Sequence, residues 1–377
     1  MTEKQKRNSN FELLRIISIV AIIGYHFYLQ TAAYGTNLPV AGAISMFLGS
    51  FGRGAVNIFV MIGAWFLIDI RFSAMRMIRL YLTCLLYAVF FTLLVVAFKL
   101  PPSPPGGGAA LKELLRAFTP FSSSPLWFVS DYLLLLLLTP FLNFFIRELP
   151  LRGFRILHWV LIAVFVLIPT IESAIPGFAV YRYYVVKSDM SWMIVLYLLV
   201  GYWKRNGCPR MVGGRRAWNT LLGCIGCSAL LCIFDRLLPV VNVPQFAVKK
   251  FHAFCEFLFM DLASVFCFVL AMSAFFAFRR LTLASSMVNR IASHTLGVYI
   301  IHQVPVFIPV MWGIFHVEAW LDSPMFLLWE VLTILAVFCG CILIDCIGSA
   351  VINRMQKLHW VEHLVHKVDQ MMNDWSN

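Results

Sequence analysis

The sequence predicts an all-α, polytopic integral membrane protein with about ten transmembrane helices and both termini in the cytoplasm. Three observations carry this expectation. Of the 377 residues, 61% are hydrophobic and 13% are charged, about half the roughly 25% charge of an average soluble domain. Apolar runs of about 20 residues, long enough to cross a hydrocarbon core, recur from end to end. The lysines and arginines are also divided unevenly between alternate connecting segments.

In order, the expected spans are 11–31, 46–68, 77–98, 126–146, 156–172, 189–203, 217–235, 256–278, 292–312 and 324–347. An even number places both ends on one side. With the N-terminus inside, the inner segments hold 21 of the 30 Lys and Arg, from Lys4, Lys6 and Arg7 through Arg76, Arg79 and Arg210 to Lys367. That asymmetry follows the positive-inside rule. The formal charge of +12 is thus mostly topological. The basic residues stand in short loops beside spans, no nucleic-acid module is visible, and nucleic acid is not an expected partner.

The first span follows the basic stretch MTEKQKR and precedes Ala32-Ala33, a pattern shared with signal peptides. Its length and its two ionisable residues favour a retained helix. Residues 1–350 read as one transmembrane domain and 351–377 as an amphipathic cytoplasmic tail. The outer loop KLPPSPPGGGAALKELLRAFTPFSSSPLW opens with a Pro/Gly connector, Pro101 to Gly108, flexible or extended by composition. Ala109 to Phe118 suits a short amphipathic surface helix. The inner loop KRNGCPRMVGGRR, Lys204–Arg216, is strongly basic. In the tail, Leu358, Val361, Leu364, Val365 and Val368 share one helical face. A helix lying on the inner leaflet and a helix packed on the cytoplasmic loops both fit that periodicity.

Nine of the ten cysteines, all but Cys208, fall within or beside spans. Cys224-x-x-Cys227 lacks a second ligand pair, and small residues for helix packing explain GCIGCS, Gly223–Ser228. Neither a metal nor a disulfide is expected.

The first span, FELLRIISIVAIIGYHFYLQ, contains Arg15 and His26. Ionisable groups are costly in a bilayer and tend to mark function there. Eleven helical steps amount to about 1100°, roughly 20° past three full turns. The two residues therefore share a face, about 16 Å apart along the axis. Taken singly, His26 equally suits a structural hydrogen bond and Arg15 an inner-interface anchor. Together they suit chemistry, because imidazole titrates near neutrality and serves as a general base for a hydroxyl.

NSNFELLRIISIVAIIGYHF resembles the opening of the acyltransferase-3 family of integral-membrane acyltransferases, whose hallmark is an arginine and a histidine with ten residues between them. Arg15 and His26 stand at those positions. GAVNIFVMIGAWFLI, Gly54–Ile68, is similar to the family's second-helix segment through Asn57, Phe59 and Gly63; Ile62 stands where a serine is frequent. MRMIRL supplies Arg76-x-x-Arg79, like the family's R-x-x-R. PLWFVSDYLLLLLLTPFLN, Pro125–Asn143, and SHTLGVYIIHQ, Ser293–Gln303, resemble two later family helices, in the same order.

The resemblance implies transfer of an acyl group, commonly acetyl, from cytoplasmic acyl-CoA to hydroxyls of envelope or exported carbohydrate in the cell (plasma or inner) membrane. Acetyl-CoA is then a co-substrate, with no permanently bound cofactor. The expected partners are the bilayer, acyl-CoA and a carbohydrate acceptor; no oligomeric state is assigned. Arg15, Arg76 and Arg79 suit the donor phosphates, which guanidinium forks bind well, although positive-inside anchoring explains Arg76 and Arg79 equally. His26 is the expected base; an acyl-histidine intermediate is the minor alternative. Asp131, Asp261 and Glu330 are the acids at its depth. His302 suits either substrate binding or a structural hydrogen bond. Trp127, Tyr181, Tyr183, Tyr184 and Trp192 suit sugar stacking or the interfacial aromatic belt. A transporter or flippase, and a non-catalytic subunit of a polysaccharide machine, are the rival classes.

Overall fold

The computed structural model describes residues 8–34, 39–101, 107–119, 124–175, 188–207, 209, 212–241 and 243–374. Lys4, Lys6, Arg7, Tyr181, Tyr183, Tyr184, Cys208, Arg210 and most of the Pro101–Gly108 connector lie outside them. The described chain is helical throughout, without a strand. The helices are α1 (Ser9–Tyr34), α2 (Pro39–Gly49), α3 (Gly52–Leu67), α4 (Ala74–Ala97), α5 (Gly107–Ala117), α6 (Trp127–Glu148), α7 (Leu151–Ile162), α8 (Ile168–Ala174) and α9 (Asp189–Asn206). They continue as α10 (Arg215–Leu237), α11 (Gln245–Met260), α12 (Val265–Arg279), α13 (Ser286–Ala292), α14 (Thr295–His302), α15 (Ile308–Ile314), α16 (Phe326–Met355) and α17 (His359–Asp374).

Eight helical stretches among the described residues are long and apolar enough to cross a membrane. They correspond to eight of the ten expected spans; the stretches at 189–203 and 292–312 have a different character. The apolar part of α9 is shorter, bounded by Asp189 and by Lys204-Arg205, and its centre is buried. The 292–312 run is not one helix. Pro305 and Pro309 lack the backbone N–H that helix continuation needs, and the chain turns between α14 and α15.

Other prolines are accommodated within helices. Pro140 lies inside α6 and leaves the Leu136 carbonyl without its usual amide; the Thr139 hydroxyl donates to that carbonyl at 2.7 Å. Ahead of Pro169, Ala163–Leu167 widens into a π turn joining α7 to α8, which relieves the clash between the ring and the carbonyl four residues back.

The chain forms two compact units. The first comprises Met1–Ile68, Glu148–Ser293 and Glu318–Ile334. Its start is tied down by the NSNFE stretch. Asn10 donates through Nδ2 to the Leu281 carbonyl and accepts from the Leu283 amide at 2.8 Å, while Ser9 Oγ accepts from the Ser285 amide at 3.1 Å. Phe11 stacks on Phe275 with ring centroids 5.0 Å apart. Farther along, α1 meets the break between α2 and α3. A Cβ at Gly49 would stand 2.7 Å from Tyr28 Cβ, and one at Gly52 would run into Tyr25. Small residues here let the backbones approach.

Gly223 and Gly226 behave differently. Added Cβ atoms there meet nothing within 4 Å, so these glycines do not make the packed face of α10. Ala217, Ser228, Cys232 and Asp235, at helical spacing, make it instead. The contrast gives a stability prediction. Gly52→Ala costs about 1–3 kcal/mol through overpacking, read as a lower midpoint of thermal unfolding in detergent. Gly223→Ala leaves that midpoint unchanged or raises it slightly, since alanine is the better helix former.

The second unit comprises Asp69–Arg147, His294–Val317 and Leu335–Asn377. Tyr299 on α14 packs edge-on against Phe128 on α6 at 5.3 Å, and Phe91 on α4 stacks on Phe307 at 4.0 Å. The tail helix α17 docks on the start of α4. Asp369 accepts from the Ala74 amide at 2.6 Å and Asn373 donates to the Phe72 carbonyl at 3.2 Å. An aspartate at the amide-rich N-terminus of a helix is favourable both as a cap and against the dipole. Val361 is buried, whereas Leu358 and Leu364 remain exposed. The tail is thus packed on the segment leading into α4, with part of its apolar face still open.

Candidate active site

The ten candidate residues fall into two groups. Arg15, His26, Asn57, Asp261 and Glu330 belong to the first unit; Arg76, Arg79, Trp127, Asp131 and His302 belong to the second.

In the first unit, α1 carries both Arg15 and His26 as one uninterrupted helix. Arg15 Nη1 bonds both oxygens of Glu12, at 3.1 and 3.2 Å. Glu12 is buried in the first turn of α1, where the helix dipole favours an anion. The arginine is therefore oriented by a partner one turn back, besides any role as an anchor. His26 is half-buried and stands between Tyr25 and Phe27, with its ring 5.3 Å from that of Tyr25.

Arg53, one residue past Gly52, lays its guanidinium over the Tyr25 ring at 5.3 Å. Asp189, at the start of α9, lies within electrostatic range of both Arg53 and Asp261. This cluster of one cation and two acids occupies the unit that holds His26. Asp261 sits in the break between α11 and α12, where its Oδ1 accepts from the Ala263 amide at 2.9 Å. Asn57 fastens that break. Its Nδ2 donates to the Leu262 carbonyl at 2.7 Å, and its Oδ1 accepts from Trp192 Nε1 at 2.9 Å. Both Asn57 and Trp192 are buried, so Trp192 is a core anchor here.

Glu330 is fully buried and accepts from Ser45 Oγ at 3.1 Å. Ser45 in turn lies 3.4 Å from the Thr31 hydroxyl on α1. The second carboxylate oxygen of Glu330 is buried without a hydrogen bond.

In the second unit, Arg79 is exposed and Arg76 half-buried, both in the first two turns of α4. Arg76 Nη1 donates to the Arg71 carbonyl at 3.2 Å. Trp127 and Asp131 stand one turn apart on α6, each half-buried, with Trp127 edge-on to Phe128 at 6.0 Å. His302 is fully buried, and its Nδ1 bonds the Val298 carbonyl at 2.6 Å. That contact fixes the ring and makes Nδ1 the protonated nitrogen.

Sequence reading passed over Arg53, Asp189 and the buried Asp345 with its histidine partner. An arginine inside the second span and an aspartate inside the tenth were the available signals. Among the described residues, no three His, Cys, Asp or Glu side chains are disposed to hold a metal ion.

Residues 8–346 match the model of the acyltransferase-3 family, described as an acyltransferase domain. No curated protein and no solved structure matches the chain.

Proposed function

The chain belongs to the acyltransferase-3 family, and from that premise we propose that this multi-pass membrane acyltransferase moves an acetyl group from cytoplasmic acetyl-CoA to a hydroxyl of an envelope or exported carbohydrate. The observation that carries the reading is the placement of Arg15 and His26 on one unbroken helix, on a common face and about 16 Å apart along its axis. The protein resides in the cell membrane with both termini cytoplasmic and the basic connecting segments inside.

In this reading His26 takes the proton of the attacking hydroxyl as the oxygen bonds to the thioester carbonyl carbon. The carbon–sulfur bond then breaks and CoA leaves as its thiol. A histidine suits the task because imidazole as a side-chain type titrates near neutrality, where a general base is most effective. Arg76 and Arg79 hold the donor phosphates, for which guanidinium groups are suited. Arg15, kept in place by Glu12, adds positive charge toward the inner end of α1. Arg53, Asp189 and Asp261 offer the mixed cation and carboxylate donors and acceptors that bind sugar hydroxyls.

Purified protein is expected to bind acetyl-CoA and to hydrolyse it slowly without acceptor; a flippase does neither, so absence of both sinks the enzyme reading. Arg76→Ala and Arg79→Ala each raise KM for acetyl-CoA about five- to tenfold, equivalent to roughly 1–1.4 kcal/mol per lost charge-assisted contact. An unchanged KM in both variants leaves the two arginines as topological anchors. For orientation, Lys112→Cys on α5 gains labelling by a membrane-impermeant maleimide on intact cells. Labelling only after lysis reverses the topology.

A further inference from the structure

In the second unit a group of side chains outside the proposed site is arranged around Asp345. This aspartate is buried in α16 and accepts a hydrogen bond from Tyr87 Oη on α4 at 2.5 Å. Its other oxygen lies 2.7 Å from His294 Nδ1. A carboxylate can only accept, so the proton of neutral His294 is on Nδ1 and Nε2 presents a lone pair. That Nε2 stands 3.7 Å from Sγ of Cys346, an exposed residue. Glycines enforce the approach: a Cβ at Gly297 would overlap the Asp345 carboxyl, and one at Gly348 would overlap the Tyr87 hydroxyl.

The buried Asp345–Tyr87 contact alone is what any intramembrane carboxylate needs. It does not account for an imidazole held in the base tautomer and aimed at a thiol. A nucleophile, a base within reach, and a third group orienting the base form the recurring pattern of an activated nucleophile. The arrangement also sits along the helix of the donor arginines. Tyr87 is eight residues from Arg79 on α4, about 12 Å along its axis.

We propose that Cys346, with His294 as its base and Asp345 as the group that positions that base, accepts the acyl group from acyl-CoA as a protein thioester. The inference rests on the donor assignment made above. In this step the Cys346 proton passes to His294 Nε2 and the thiolate attacks the thioester carbonyl. The bond to the CoA sulfur breaks, and the imidazolium returns its proton to the departing CoA thiolate. One thioester replaces another, with no oxidant and no second substrate. The carbohydrate hydroxyl then attacks the Cys346 thioester in place of the CoA thioester; the bond to Cys346 Sγ breaks, and the proton lost by the hydroxyl restores the Cys346 thiol.

The test uses the full-length protein in membranes. After incubation with radiolabelled acetyl-CoA and an acid quench, wild type and His26→Ala are both expected to carry an acetyl group at Cys346, released by neutral hydroxylamine. Cys346→Ala carries none, Cys339→Ala labels normally, and His294→Ala labels at least tenfold more slowly. Label that persists in Cys346→Ala, or its absence from a wild-type protein that transfers acetyl to glycan, overturns the proposal.

A second measurement needs no acyl donor. Alkylation of Cys346 by a small haloacetamide is expected to slow at least fivefold in His294→Ala and in Asp345→Asn. Equal rates in all three overturn the proposal even if acyl transfer itself is established. His-dependent alkylation in a protein that neither labels nor transfers would overturn the acyl-accepting role and fault the donor assignment with it.

Discussion

His26→Ala lowers acyl transfer by about 10²–10⁴-fold, the usual contribution of a positioned general base, while leaving the amount of folded protein unchanged. The two halves of this prediction are separable. His26 is half-buried on α1, so truncation neither empties a fully closed core site nor interrupts the helix. Binding of acetyl-CoA is assigned to other residues, so the KM for the donor stays within about twofold and the loss falls on kcat. His26→Gln, which keeps hydrogen bonding but cannot accept a proton at neutral pH, is as inactive as the alanine variant. The measurement is initial rate against donor concentration for the three proteins at matched, folded amounts. Activity within threefold of wild type in both variants removes His26 from the mechanism.

Asn57→Ala has the largest expected effect on stability. It strands a buried Trp192 N–H and the Leu262 carbonyl, which Asn57 joins at 2.9 and 2.7 Å. An orphaned buried donor or acceptor costs about 1–3 kcal/mol, so the two together give roughly 2–6 kcal/mol. The break at Asp261–Ser264, between α11 and α12, loses its tie to α3, and Asp261 loses its fixed position. Trp192→Phe removes one of the two stranded groups. The double variant Asn57→Ala/Trp192→Phe is therefore less destabilised than the sum of the single variants. Equilibrium unfolding in mixed micelles measures this; strict additivity means that the bond contributes nothing.

The sequence made the helical class and most spans readable because hydrophobic length is a strong signal and the bilayer demands it. It also marked Arg15 and His26 through helical period. Breaks inside apolar runs were much harder to see. Ser50-Phe51 between α2 and α3, and Asp261–Ser264 between α11 and α12, interrupt helices without lowering hydropathy, and the second break is held by residues distant in sequence, Asn57 and Thr170. Pro140 looks like a breaker until Thr139 is seen to serve the freed carbonyl. Side-chain partnerships were the least legible part. Glu12 is one turn from Arg15 and was within reach of an i,i+3 reading. By contrast Ser45–Glu330, Asn57–Trp192 and Tyr87–Asp345–His294 join positions more than 50 residues apart, and no local periodicity encodes such a pairing. The open face at Gly223 and Gly226 shows the converse: small residues are compatible with close packing but do not enforce it.

Acyl movement from cytoplasmic acyl-CoA to a carbohydrate hydroxyl can be followed in sealed, inverted membrane vesicles given radiolabelled acetyl-CoA from outside, with wild-type protein and with His26→Ala side by side. Label is expected in base-labile esters on membrane glycan with wild type, and none with the variant. Label that remains in acetyl-CoA and free acetate, or that reaches glycan equally with both proteins, rules out His26-dependent transfer to glycan.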